Sequence, residues 1–269
     1  MTAPLSSGSQ GYQTLPIEQR QARTAQAMQD HIAEEQAVAL VYNCMSHAVM
    51  MATPLDLEDF ALGFSLTEGV IQSKQEVYEC LLRPHALGTE LKLEIIPPRF
   101  AALQSQRRNL TGRTGCGLCG AESLQQAVRP VRSVTPAALP SDEAIQTAMA
   151  QFPTQQVLQA LTGSLHGAAW CDRDGRVLLV REDVGRHNAL DKLIGALHRQ
   201  AIKTHEGFVL VSSRASYEMV QKVCQVNIPT LIAISAPTTL AITLAQQAGL
   251  NLVGFARAGH YNVYTQQEL

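Results

Sequence analysis

The sequence predicts an α/β protein: a C-terminal sheet with helices on both faces, preceded by a smaller α+β unit. Three observations carry this. Apolar residues make up 46% of the 269 and charged residues 16%, which suits a large core and excludes a chain disordered throughout. In the second half, runs apolar throughout, such as Phe208-Val-Leu-Val211 and Thr230-Leu-Ile-Ala-Ile234, alternate with helical patterns. Strands of that kind are buried on both faces, so helices must cover both sides. In the first half, Leu91-Lys-Leu-Glu-Ile95 alternates apolar and polar residues, as a half-buried strand does.

Residues 1–36 are rich in Gln, Ser, Thr and Ala and lack apolar periodicity. They are expected to form a mobile tail, with a short helix around Glu18–Glu35. Residues 37–105 read as the small α+β domain. Ala37–Tyr42 and His47–Met51 suggest paired strands. Leu57, Phe60, Ala61 and Phe64 keep helical spacing, with Asp56 as a candidate cap and Gly69 as a left-handed terminator. Pro97-Pro98 stops the Leu91–Ile95 strand. Residues 106–135 read as a flexible loop: Gly112, Gly115, Gly117 and Gly120 permit unusual backbone angles, and arginines flank them.

Residues 136–269 form the α/β domain. Ile145, Ala148, Met149 and Phe152 mark a helix that Pro153 should break, with Thr154 placed to cap the next. Strands near Ala168–Cys171 and Val177–Arg181 flank the turn Asp172-Arg-Asp-Gly175. Helices are expected over Ala189–Gln200, from Tyr217 through Cys224, and over Leu240–Ala248 before Gly249. A last strand covers Asn251–Phe255.

Lys and Arg number 21, Asp and Glu 23, for a net charge of −2. A broadly basic nucleic-acid surface is not expected. No apolar run reaches the roughly 18 residues of a membrane span, and the N-terminus lacks the pattern of a secretory signal. Cys44, Cys80, Cys116, Cys119, Cys171 and Cys224 do not read as a disulfide scaffold. A reducing cytoplasm is the expected location.

The polar residues of the second half follow its strands. Arg181-Glu-Asp-Val-Gly-Arg-His-Asn188, Ser212-Ser-Arg-Ala-Ser216, Ser235-Ala-Pro-Thr-Thr239 and Arg257-Ala-Gly-His260 are such turns. In open α/β sheets they share the edge beyond the carboxyl ends of the strands. Helix starts there attract anions, and Arg186, Arg214 and Arg257 add charge. Together they outline a site for a phosphate-bearing ligand. Taken singly, these turns also fit plain helix caps, Asn188 among them.

Cys116-Gly-Leu-Cys119 admits redox exchange, zinc binding, a structural role or sulfur carriage as a persulfide. Zinc wants four ligands, and no second CxxC accompanies this one. Thioredoxin chemistry wants a CxxC opening a helix after an early strand. A nucleophilic thiolate near Arg113 on a mobile loop fits better. Cys44, Cys80, Cys171 and Cys224 have apolar surroundings and suit packing. His31, His85, His198 and His205 suit the surface, while His47, His166 and Trp170 suit the interior.

Thr-Gly-Arg-Thr-Gly-Cys-Gly-Leu-Cys-Gly, Arg-Glu-Asp-Val-Gly-Arg-His-Asn-Ala-Leu-Asp-Lys, Ser-Ser-Arg-Ala-Ser-Tyr-Glu-Met-Val-Gln-Lys, Ser-Ala-Pro-Thr-Thr-Leu-Ala and Gly-Phe-Ala-Arg stand in this order. From about residue 37 to the end, the sequence resembles the formate dehydrogenase accessory sulfurtransferases (FdhD). The resemblance implies a sulfurtransferase that accepts persulfide sulfur from a cysteine desulfurase. The sulfur then passes to the molybdenum cofactor, bis-molybdopterin guanine dinucleotide, a bound substrate, to activate formate dehydrogenase. It implies Cys116 as persulfide carrier and Cys119 as assistant or relay. It places the guanine nucleotide moiety against Phe255, Ala256, Arg257, Ala258, Gly259 and His260. It further implies a homodimer, no permanent metal, and a three-layer α/β/α cytidine-deaminase-like C-terminal domain.

That likeness raises the rival of a zinc deaminase, which needs a ligand His with Glu two residues on, then Pro-Cys-x-x-Cys. No histidine here has that Glu, and Gly115 precedes Cys116. A non-catalytic cofactor-binding chaperone is the alternative of a different class.

Overall fold

The structure is a computed structural model that describes residues 9–22, 24–108 and 130–267. Strands β3 (Gln36–Tyr42) and β4 (Met45–Ala52) form the expected hairpin. On the other side of β3, β6 (Gly88–Ile95) and then β5 (Val77–His85), absent from the sequence reading, complete a sheet of order β4-β3-β6-β5. Val38, Leu40 and Tyr42 alternate onto the same buried face as Leu91, Leu93 and Ile95. Helix α1 (Leu57–Thr67) packs there through Phe60 and Phe64. This is the small α+β domain.

The start of α1 departs from expectation. Asp56 sits at φ +52° and its side chain makes no cap bond; its carboxylate lies 3.5 Å from Arg181 instead. The end conforms, with Gly69 at φ +73° and its N–H donating to Leu66 O. Beyond β6, Pro97 opens α2 (Pro97–Arg108). A proline suits a helix's first turn, where its missing N–H has no partner to lose.

The tail and its expected helix over Glu18–Glu35 are corrected over residues 12–33. Strands β1 (Tyr12–Gln21) and β2 (Thr24–Ala33) pair antiparallel from Tyr12↔Ala33 to Gln21↔Thr24. Most of these side chains are exposed, so backbone pairing holds the ribbon and leaves no apolar rhythm to read. Its base is fastened where Glu34 N–H donates to Gly11 O, and Gly11 packs against Leu55 and Leu158.

The larger sheet has the order β12-β11-β10-β9-β7-β8. Strands β9 (Gly207–Val211), β10 (Thr230–Ala233) and β11 (Asn251–Arg257) run parallel. β7 (His166–Asp172) is antiparallel to both β9 and β8 (Val177–Asp183), so β8 runs with the parallel set. β12 (His260–Thr265), also unanticipated, turns back along β11.

One face of this sheet, including Trp170, Val209, Val211 and Leu252, packs on α5 (Arg186–Arg199), α6 (Tyr217–Gln225) and α7 (Thr239–Ala248). The other, including Phe208, Leu210, Ile232 and Val253, packs on Ile145, Ala148 and Phe152 of α3 (Asp142–Gln155). Pro153 does not break α3; it lies within the last turn, where little of the helix remains to be disrupted. Thr154 donates back to Gln151 O rather than capping α4 (Val157–Thr162), whose Leu158 and Gln159 N–H groups bond to the Glu182 carboxylate.

Helices α1 and α5 cross at two glycines. A Cβ on Gly63 would lie 1.7 Å from Asp191 O, and one on Gly195 1.8 Å from Asp59 O. A single apolar cluster consequently runs from Val38 in the small sheet to Leu252 in the large one. Among the described residues, no helix is long and apolar enough to cross a membrane.

Candidate functional site

Because β8, β9, β10 and β11 share a direction, the turns that follow them meet at one sheet edge. Hydrogen bonds continue past the strands and fix those turns. Ser212 N–H donates to Gly167 O at 3.0 Å while Gly167 N–H donates to Ser212 Oγ at 2.9 Å. Ser235 N–H reaches Ser213 O, Thr238 N–H reaches Ala215 O, and Phe255 N–H reaches Ser235 O.

Most of the charged segment that ends β8 and leads into α5 is built inward. Asp183 is fully buried; it accepts from Gly185 N–H at 2.8 Å, Asn188 Nδ2 at 3.0 Å and Thr53 N–H at 3.0 Å. Its other partner is the Lys192 ammonium at 2.7 Å, itself fully buried and donating to Thr53 O at 2.9 Å. Burial lowers the Lys192 pKa and the Asp183 charge works against that shift. Arg181 bonds to Asp59 at 2.7 Å. Asn188 is no cap: Gly185 is the N-cap and α5 begins at Arg186. The sequence reading started this helix at Ala189, because a polar first turn buried by tertiary bonds looks like a loop.

Arg186 and His187 stay at the edge. His187 Nε2 lies 2.7 Å from the Glu218 carboxylate of α6, and Arg186 Nη2 lies 4.0 Å from it. The His187 contact, outweighing partial burial, holds the Glu218 pKa below the usual carboxylate range. Among the described residues, the buried Arg186 Nε has no partner, and neither has the Oγ of Ser216, a residue only 6% exposed. Neither Gly185 nor Ser216, the N-caps of α5 and α6, supplies a side-chain cap bond. Two helix starts and an arginine thus present donors at one place. Leaving a buried donor unpaired costs about 1–3 kcal/mol, and phosphate oxygens are acceptors of the kind such helix starts favour.

His166 belongs to this neighbourhood. It is half-buried at the start of β7, opposite Asp183, and burial together with the Arg186 charge lowers its pKa. The sequence reading placed it in the core and did not single out His187, Ser216 or Glu218. The signal available was the position of all four at strand or helix ends of one edge.

The remaining expected residues lie on neighbouring loops. Arg214 is exposed after β9. Phe255 is 41% exposed at φ +51°, inside an irregularity between Gly254 and Arg257; Ala256 is buried beside it. The Arg257 guanidinium donates to Ile234 O and Ala256 O. Ala258, Gly259 and His260 are exposed at the β11–β12 turn. Gly254 permits the close approach of Pro237, whose Cδ lies 2.7 Å from where a Cβ would stand. Cys116, Cys119, Arg113 and the glycines around them lie outside the described residues.

A family profile described as "FdhD/NarQ family" matches residues 33–269. The chain belongs to the FdhD/NarQ family. A "Sulfur carrier protein FdhD" of Cupriavidus necator is 52% identical over 239 residues, covering 89% of this chain and 83% of that protein. One of Xanthomonas euvesicatoria pv. vesicatoria is 49% identical over 270 residues, covering 100% and 96%. A crystal structure assigned as a formate dehydrogenase accessory protein from Desulfotalea psychrophila shares the fold, with a TM-score of 0.75 at 24% identity. It covers 94% of this chain, and 96% of that chain is matched.

Within this FdhD/NarQ chain Cys80, Cys171 and Cys224 suit packing more than chemistry. Burial pushes Cys80 up to about 11 and Cys224 up to about 12, and raises Cys171 further. A sulfur nucleophile needs the opposite shift. Cys44 is a correction, since it is exposed in the β3–β4 turn at φ +68°. His47 is another: it is exposed, its ring 5.4 Å from that of Tyr42. Among the described residues, no group of three His, Cys, Asp or Glu side chains is arranged to hold a metal.

Proposed function

We propose that this FdhD/NarQ protein is a sulfurtransferase serving formate dehydrogenase. It takes sulfur from a cysteine desulfurase and passes it to bis-molybdopterin guanine dinucleotide. The observation that carries the reading is a conjunction. In a chain 52% identical to a sulfur carrier protein, a Cys116-Gly-Leu-Cys119 pair accompanies a sheet edge where buried donors of Arg186 and Ser216 lack acceptors among the described residues.

The first step is thiol exchange. The Cys116 thiolate attacks the outer sulfur of the desulfurase persulfide, a new S–S bond forms on Cys116, and the desulfurase thiolate leaves. Cys119 assists or relays, and the 106–135 segment delivers the sulfur. The cofactor is substrate here. Its phosphates suit the α5 and α6 starts with Arg186 and Arg214, and its guanine end suits Phe255, Ala256, Arg257, Ala258, Gly259 and His260. The parallel β9–β11 set with helices on both faces supports a cytidine-deaminase-like domain. The reading includes a homodimer working in the cytoplasm.

The test is intact and peptide mass spectrometry after incubation with a cysteine desulfurase and cysteine. One added sulfur on the peptide holding Cys116 and Cys119, removed by reductant and lost in Cys116→Ala, is expected. Arg186→Ala, Arg214→Ala and Arg257→Ala should load sulfur normally and bind guanine nucleotide more weakly. No added sulfur with an active desulfurase would overturn the reading in favour of a cofactor-binding chaperone, for which the arginines matter and the cysteines do not.

A further inference from the structure

We propose that Gln146 of α3 is a positioning residue: it holds the β11–β12 turn in the shape that receives a guanine nucleotide. The inference rests on the reading that Phe255–His260 takes the nucleotide end of the cofactor, and it adds a residue on a different element.

The turn needs external support. Phe255 adopts φ +51°, a left-handed backbone that an aromatic residue rarely takes and that persists where the surroundings over-determine it. The register with β12 slips between Gly254 and Arg257, so ladder bonds are missing where the strain lies. On the sheet side, Phe255 N–H donates to Ser235 O and the Arg257 guanidinium donates to Ile234 O and Ala256 O. On the opposite side α3 takes hold. Gln146 Oε1 accepts from Gly259 N–H at 2.8 Å, and its Nε2 reaches Arg257 O at 3.4 Å. Asp142, one helical turn earlier and on the same face, accepts from the Tyr261 hydroxyl.

Gln146 therefore spans the turn while Arg257 fastens its strand end. Phe255 is left 41% exposed, an aromatic residue on which a purine can stack. Core packing of α3 runs through Ile145, Ala148 and Phe152, so the Gln146 bonds are separable from the helix's own docking. Alanine and glutamate are both good helix formers, so neither replacement should disturb α3 itself.

The experiment is titration of the full chain with guanosine diphosphate, with hydrogen exchange on the peptide spanning 255–262. Gln146→Ala should weaken binding about tenfold, roughly 1.4 kcal/mol, and speed exchange in that peptide. Sulfur loading on Cys116 and Cys119 should stay unchanged. Gln146→Glu keeps an oxygen for the Gly259 N–H but has no donor for Arg257 O, so it should restore part of the affinity. Unchanged affinity in Gln146→Ala overturns the inference. So does equal loss in both variants together with equal loss of thermal stability, which marks a structural role. Failure of the unaltered chain to bind the nucleotide instead removes the functional reading itself.

Discussion

Asp183 shows how a residue in a charged, loop-like segment can be a keystone of the fold. Its carboxylate joins the Thr53 and Gly185 amides, the Asn188 side chain and the Lys192 ammonium. Removing one partner of a buried ion pair costs far more than the pair contributes net, because the other charge stays buried. Asp183→Ala should therefore lose about 3–5 kcal/mol in urea unfolding. Lys192→Met in the same chain should recover part of that loss, since it removes the stranded ammonium; strictly additive losses would refute the coupling. Asp183→Ala should also weaken guanine nucleotide binding, because the Gly185 and Asn188 bonds set the start of α5 and hence Arg186 and His187. The Asp191–Lys222 pair follows a similar plan. Burial opposes the Lys222 charge, but Asp191 and Glu68 outweigh it and raise its pKa above the ordinary value.

At the scale of elements, legibility follows from where the information lies. β9, β10 and β11 are readable because burial on both faces demands continuous apolar runs, and the shared edge follows from them. β1 and β2 are not, because their side chains are mostly exposed and only backbone pairing defines them. β5 hides behind Arg83 and Pro84 on an outer strand. The edge itself was visible in Arg186, Arg214 and Arg257, whereas the His187–Glu218 contact joins the first turns of two helices and has no local signature. The Asp183–Thr53 bond spans 130 positions, beyond any spacing rule. The α1–α5 crossing belongs here too, since neither Gly63 nor Gly195 stands out in its segment. Each glycine faces backbone of the other helix, and backbone cannot rotate away as a side chain can. Gly63→Ala and Gly195→Ala should each cost about 3 kcal/mol or more, at or above the top of the usual range for overpacking. Urea midpoints reveal this, and a change under about 1 kcal/mol would mean the helices separate freely.

For the molecule as a whole, the small sheet and the large one are not independent in energy. α1 belongs to the small sheet's core and α5 to the large sheet's, yet both lie in the apolar cluster that runs from Val38 to Leu252. Ion pairs cross the same seam: Arg181 and Arg199 to Asp59, and Lys222 to Glu68. Opening the seam would expose Phe60, Leu190, Leu193 and Ile194 at once, at about 1.5–3 kcal/mol for each large apolar side chain. Neither half should persist alone, so unfolding should be a single transition over both sheets. Trp170, the one tryptophan, is buried in the large sheet and reports on it. Tryptophan fluorescence and far-ultraviolet circular dichroism should give coincident urea curves. Leu40→Ala, a cavity in the small sheet costing about 2–5 kcal/mol, should move the Trp170 transition by the full amount. A Trp170 signal indifferent to Leu40→Ala would show that the two sheets unfold separately. A coincident shift would mean that the α5 start, and with it the Arg186 edge, is stabilised by the whole body, including strands that contribute no residue to the site.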